Sequence, residues 1–353
     1  MTTMTGGKIL LGRTTGRVNL RVEIRVVVVC VVMLLLTAVT ALVALTSGDY
    51  PLSAASALDA AVGRGDAFDV LVVQQWRAPR ILMAVLLGGA LGVGGAIFQS
   101  LTRNPLGSPD IIGFGTGAYT GALLVMLIVG GGYLATAAGA LLGGSATAVA
   151  VYFLAATRGQ SGHTVQGFRL IVIGIGVSAM LSSVNTWLVL QADVEDAMRV
   201  AIWGAGSLNG LGWDQALPTV PVVAALGVGA ALLARVLHVM EMGDDAAAAL
   251  GVAVEPSRLA LMIVGIATTA VVAATAGPIS FIALAAPQIA RRLTRAAGIA
   301  VAPAAATGAF LLLLSDVVAQ RIHPDTPLPV GVVTVSVGGA YLVWLLINEA
   351  RRR

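Results

Sequence analysis

One lysine, one cysteine and three histidines are all that this chain of 353 residues holds of three chemically versatile side chains. Each shortage removes a class of function. A phosphate-binding loop of the Walker type needs Lys followed by Ser or Thr; the only lysine, Lys8, is followed by Ile9, so ATP hydrolysis by that route is excluded. Cys30 alone allows neither an intramolecular disulfide nor a cysteine metal cluster, and reads as an inert thiol in an apolar helix. His163, His238 and His323 stand far apart, and neither H-E-x-x-H nor a nucleophile elbow occurs. An enzyme reading has no residues to rest on, and neither a metal site nor a cofactor is expected.

Charge is scarce too: 11% of residues are charged, where soluble domains carry about 25%. What replaces it is apolar surface, 58% of residues with a mean hydropathy of +0.92. A single soluble core could not use so much, so the chain reads as an all-α polytopic membrane protein. The same figures exclude disorder and a disulfide scaffold. A net charge of +4 and a pI near 9.7 would suggest nucleic acid in a soluble protein. Here the charges flank apolar runs, and no nucleic-acid partner is expected.

A membrane-crossing helix needs about 20 apolar residues. Runs of that order fall at 26–46, 78–100, 107–130, 133–157, 169–191, 215–238, 258–276, 278–294, 303–322 and 328–348, which makes about ten transmembrane helices. The first run exceeds the apolar core of a secretory signal, about 7–15 residues, and so reads as a retained span. The polar gaps 47–77, 192–214 and 239–257 are too small for a separate soluble domain. The chain divides into an N-terminal tail, 1–25, a transmembrane domain, 26–348, and a basic tail, 349–353. Alternating the spans from a cytoplasmic N-terminus puts 16 of the 21 basic residues inside, leaving Arg64, Arg77, Arg80, Arg199 and Arg321 outside. That asymmetry fits the positive-inside rule and an even span count, with both termini cytoplasmic.

Within the spans, Gly88, Gly92 and Ala96, and again Gly113, Gly117 and Gly121, recur every four residues. Small residues at that spacing let helices approach closely in lipid, inside one chain or across a dimer seam. The one clear acid in a span is Asp316, read as an internal ion pair or structural hydrogen bond rather than a proton-coupling group. In the fifth span Ser178, Ser182 and Asn185 are spaced by four and three and share a helical face. A polar stripe in hydrocarbon should turn inward, to line a path or to bond neighbouring helices.

Four stretches carry a resemblance. Arg77–Gly117 opens R-A-P-R-I-L-M-A and closes N-P-L-G-S-P-D-I-I-G-F-G-T-G; Gly277–Arg292 reads G-P-I-S-F-I-A-L-A-A-P-Q-I-A-R-R; around Asp316 the chain reads L-L-S-D-V-V-A; Leu328–Thr334 reads L-P-V-G-V-V-T. In this order and spacing they resemble the permease subunits of iron-siderophore and cobalamin ABC importers over residues 20–350. The resemblance implies a type II importer fold with ten helices in the cytoplasmic (inner) membrane. It implies a second permease, identical or paralogous, two ABC ATPase subunits and an extracytoplasmic substrate-binding protein. The cargo implied is a ferric siderophore, with cobalamin or haem as the alternative. A secondary transporter driven by protons or sodium is the rival from another class; it requires paired intramembrane acids, which are not found.

The resemblance also assigns roles. Arg77 and Arg80, at the outer start of the second span, would form pockets for acidic residues of the binding protein; the alternative is snorkelling at a helix end. Arg321 joins them, although the family's arginine aligns with Gln320, a shift that turns the charge by about 100°. Residues 239–257 would be the cytoplasmic coupling loop, seated in a cleft of the ATPase by a short helix with Asp244, Asp245, Ala247, Leu250 and Gly251; an ordinary surface helix is the alternative. Ser178, Ser182 and Asn185 would line the translocation path. Gln288 stands where the family has a histidine, so a titrating role is in doubt there.

Overall fold

The computed structural model describes residues 2–5, 8–11, 20–159, 162–165, 167–296, 298–322 and 328–350. Short antiparallel strands pair at β1 (Thr2–Thr5), β2 (Lys8–Leu11) and β3 (Leu20–Glu23), and at β4 (Ala156–Gly159) with β5 (Gly162–Val165). Everything else of regular form is helix. Among the described residues, seven helical runs are long and apolar enough to cross a membrane. They are α1 (Ile24–Thr46), Ala67–Thr102, which joins α3 (Ala67–Leu71) to α4 (Ala78–Thr102) through a π-turn, α6 (Tyr133–Ala155), α7 (Gly167–Leu190), α9 (Trp213–Met240), α11 (Val254–Ala276) and α13 (Val301–Ile322). The other three expected spans fall on α5 (Phe114–Leu124), with its π-turn extension to Val129, on α12 (Ile282–Thr294) and on α14 (Val330–Ala350).

Two of these start later than the apolar runs for local reasons. Pro109–Ile112 forms a 3-10 turn and Gly113 takes a φ of 86°, which delays α5. Gly277 and Phe281 have φ of 73° and 71°, a left-handed kink that postpones α12 to Ile282. Two of the polar gaps also fold. Ser53 Oγ accepts from Ser56 N and starts α2 (Ala54–Ala61); Asp66 Oδ1 accepts from Phe68 N and starts α3. Glu195 and Asp196 stand in the first turn of α8 (Val194–Gly204), where a helix favours negative charge.

The end of the bundle at which α1 begins is called here the lower end. α4 runs down the centre, in contact with α13, α12, α11 and α9. Met83, Leu87 and Leu91 of α4 are fully buried, in one core with Leu312 and Leu313 of α13 and Ala283 of α12. The first small-residue stripe makes this contact. A Cβ on Gly92 would lie 2.2 Å from the Ala304 carbonyl oxygen, and one on Gly95 would lie 1.7 Å from that of Ala283. The second stripe brings Gly117 and Gly121 of α5 against Gly143 and Gly139 of α6. Both stripes therefore pack within the chain. Because backbone blocks the site, Gly95→Val is expected to destabilise the bundle by at least about 3 kcal/mol, the upper end of ordinary overpacking. The check is thermal unfolding in detergent; a melting temperature equal to that of the parent would contradict the contact.

Candidate functional site

At the upper end, three arginines gather where α1 finishes. Arg77 donates from Nη1 to the Leu45 carbonyl and from Nη2 to the Tyr50 carbonyl, each at 2.5 Å, and so ties the end of α1 to the loop beyond it. Arg80 forms a two-pronged pair with Asp316, Nε to Oδ2 at 2.9 Å and Nη2 to Oδ1 at 2.7 Å. Asp316 is 1% exposed, and Gln320 Nε2 donates to its Oδ2 at 2.8 Å. The glutamine at the expected arginine position thus completes the buried carboxylate, while Arg321 is exposed and donates to Ser47 Oγ. Each candidate docking arginine already holds a protein partner, and the acid in the span holds an arginine.

The second and fourth motif stretches meet at the same end. The turn after α8 threads between them: Ser207 N donates to Ala276 O at 2.7 Å, and Gly331 N to Gly206 O at 3.0 Å. A Cβ on Gly331 would lie 1.7 Å from the Ala205 oxygen, so glycine alone permits the crossing. Beside it opens a cavity of about 560 Å³, lined among others by Tyr133, Arg199, Trp203, Asn209 and Gln215. Trp203 stacks on Tyr119 at 6.3 Å between centroids.

At the lower end, α10 (Asp244–Ala249) follows α9 directly. Asp244 accepts from Arg103 Nη2 at 2.7 Å and from Arg258 Nη2 at 2.6 Å; Arg258 Nη1 also reaches Glu255 Oε1 at 2.9 Å. One carboxylate therefore joins α10 to the end of α4 and the start of α11. Ala247 is fully buried, and its carbonyl accepts from Val252 N at 3.0 Å; Gly251 closes the turn at a φ of 83°. Asp245 is exposed, as are Leu250 and Met242, which leaves acid and apolar surface outward. Nearby in sequence, Asn104 Oδ1 accepts from Leu106 N at 2.9 Å, an Asx turn.

Gln288 is buried and donates to Gln99 Oε1 at 2.6 Å; Gln99 Nε2 in turn donates to Leu284 O at 2.9 Å. The chain from α12 to α4 is neutral and complete. On α7 the polar stripe divides. Asn185 is buried, and its Oδ1 and Nδ2, with Ser178 Oγ, have no hydrogen-bond partner among the described residues. Ser182 is exposed, next to Ser183 and Thr186, whose hydroxyls donate back to Ala179 O and Ser182 O. Sequence reasoning missed the Gln99–Gln288 pair, the Asp244 brace and the aromatic cavity. Arg103 and Asp244 lie 141 residues apart, and no local pattern links them.

Fold and sites together define a class: a polytopic helical membrane protein with three partnered arginines at one end and a charge-braced surface helix at the other. The chain belongs to the FecCD transport family, which it matches over residues 34–348. It is 48% identical over 329 residues to the ferric enterobactin transport system permease protein of Escherichia coli (strain K12), covering 93% of this chain and 98% of the relative. It is 33% identical to the iron(3+)-hydroxamate import system permease protein of Bacillus subtilis (strain 168), covering 91% and 97%. Among solved structures it is similar to a metal-chelate type ABC transporter in an inward-facing conformation, with a TM-score of 0.77, 27% identity and coverage of 91% and 99%.

Proposed function

We propose that this chain is the permease subunit of an ATP-driven importer that moves a ferric siderophore across the cytoplasmic membrane. The observation that carries the reading is end-to-end likeness, 48% identity over 93% of the chain, to a ferric enterobactin permease. In this reading the transmembrane domain 26–348 crosses the bilayer ten times, α5, α12 and α14 included, with the lower end and both termini cytoplasmic. The chain supplies the pathway and hydrolyses no ATP; two ABC ATPase subunits do so, and a second permease completes the pore.

Roles follow from position. Arg77, Arg80 and Arg321 belong to the surface that receives the binding protein; exposed Arg321 is the one whose charge projects outward, while Arg77 and Arg80 shape that surface from beneath. Residues 239–257 form the coupling loop, with Asp244 and Ala247 holding α10 in place and Asp245, Leu250 and Gly251 presented to the ATPase. Ser178, Ser182 and Asn185 border the path, and the unpartnered groups of Ser178 and Asn185 support a wet or changing environment for α7.

The test is uptake of radiolabelled iron by a deletion strain carrying this chain, offered a catecholate, a hydroxamate, ferric citrate and haem separately, with cobalamin uptake alongside. Restored uptake of a ferric siderophore is the expected result. Restoration of haem or cobalamin uptake alone would move the chain to the alternative cargo within the same family.

A further inference from the structure

The carboxylate of Glu241 joins three elements at the lower end. Its Oε1 accepts from Ser100 Oγ of α4 at 2.5 Å and from Ile299 N, just before α13, at 3.1 Å. Its Oε2 lies 3.5 Å from His238 Nδ1 of α9, and the side chain is 18% exposed. Gly298 makes room for it: a Cβ there would lie 2.1 Å from Oε2.

Nothing in α9 alone favours an acid here. Glu241 follows Met240, the last residue of α9, at the end where a helix is negative. Through Ile299 N the same carboxylate approaches the start of α13, the end where a helix is positive. It is disfavoured by the helix it follows and favoured by the helix it reaches. Two arginines border the same polar cavity of about 210 Å³. Arg103 is already held by Asp244 and the Met240 carbonyl, and Arg291 is exposed. His238 is 73% exposed, so water screens its attraction. The bonds from Ser100 and Ile299 are therefore the ones that fix the carboxylate.

The helix α10 starts only three residues further on, at Asp244. Met240 and Ala247 share one buried core, against which Val301 and Ala305 of α13 pack. The start of α13 is thus tied to the link between α9 and α10 by packing and by a hydrogen bond to a charged acceptor, one of the stronger kinds. Its far end is held by Arg80 through Asp316.

We propose that Glu241 is a positioning residue of the importer, whose carboxylate makes the lower end of α13 follow α10. Asp244 braces α10 to α4 and α11; Glu241 extends that hold to α13. The role rests on the importer reading, whereas the contact does not.

Two measurements separate them. Amide hydrogen exchange is followed at residue resolution in the full chain in nanodiscs. Glu241→Ala should speed exchange at Ile299 by at least about tenfold, as expected for loss of a charged acceptor. The core amides of Leu87 and Leu91 should exchange as in the parent. Glu241→Gln keeps an oxygen for both donors and should leave Ile299 protected. Gly298→Ala, which crowds the carboxylate, should act like Glu241→Ala, and the two together should add little to either alone. Next, the permease is reconstituted in proteoliposomes with its second permease, ATPase subunits and binding protein, and uptake of a radiolabelled ferric catecholate is divided by ATP hydrolysed. Glu241→Ala should lower that ratio by about fivefold, the low end of coupling between sites, with assembly and hydrolysis retained. Glu241→Gln should restore it. A parent-like ratio in Glu241→Ala, or a loss that Glu241→Gln does not rescue, would overturn the role. Unchanged exchange at Ile299, or fully additive effects of Gly298→Ala and Glu241→Ala, would overturn the contact. A parent without ATP-driven uptake would overturn the importer reading and the role with it, and exchange would still decide the contact.

Discussion

Replacing Asp316 by alanine is expected to cost about 3 kcal/mol of stability, because Arg80 then keeps a charge in a largely dry site with nothing to balance it. Arg80 is 19% exposed and Asp316 2% exposed at the side chain, so the loss belongs at the low end for buried pairs. Arg80→Ala should cost a similar amount, since it strands the more buried partner; among the described residues Gln320 would remain as the donor to that carboxylate. The double variant Arg80→Met with Asp316→Leu should recover most of the loss, because apolar residues of similar volume avoid desolvating two charges. Thermal unfolding of the purified chain in detergent separates the cases. If the single variants melt with the parent, the pair contributes nothing and the upper end is held by packing alone.

The second large effect is expected at α10. Leu250 is 65% exposed, and exposed leucine beside a braced helix suits a partner's apolar cleft. Under the importer reading, Leu250→Asp should weaken assembly with the ATPase subunit by about thirtyfold, the effect of removing a 2 kcal/mol anchor. The fold should be unaffected, since the residue buries little. Asp244→Ala offers the complementary case: it removes the carboxylate that Arg103 and Arg258 share, leaving Arg258 to Glu255 and Arg103 to the Met240 carbonyl, and loosens α10 without touching the exposed face. Because Asp244 is 42% exposed, its ion pairs contribute no more than about 1 kcal/mol to stability. Association is measured by surface plasmon resonance with the permease in nanodiscs. Unchanged affinity for Leu250→Asp would remove α10 from the contact.

Much of this architecture was legible because the bilayer writes large signals. Long apolar runs announced the long helices. Asp316 could be read as internally paired from its apolar surroundings alone, since a lone acid there is costly. Its partner could not be named, because Arg80 lies 236 residues away. The small helices α2, α3 and α8 escaped notice for a related reason. Segments of 5 to 11 residues are too short to be stable alone, so tertiary contact decides them. The polar stripe on α7 shows the limit of spacing arguments. Ser178, Ser182 and Asn185 share a face by geometry, yet the seam between buried and exposed runs through that face, leaving Ser182 outside. Only the neighbouring helices set where that seam falls.

Arg80 and Arg103 sit near opposite ends of one uninterrupted helix, the first bound to α13 and the second to α10. They stand 23 positions apart, about 34 Å at the helical rise. α4 is therefore a strut clamped at both ends, and its length cannot change. Under the importer reading, a displacement imposed at α10 would reappear at the far side as a tilt or a slide of α13, unless one clamp lets go. Mechanical coupling across the bilayer would then be tuned by how firmly two carboxylates grip two guanidinium groups, a quantity that salt weakens at the exposed clamp and leaves nearly untouched at the buried one.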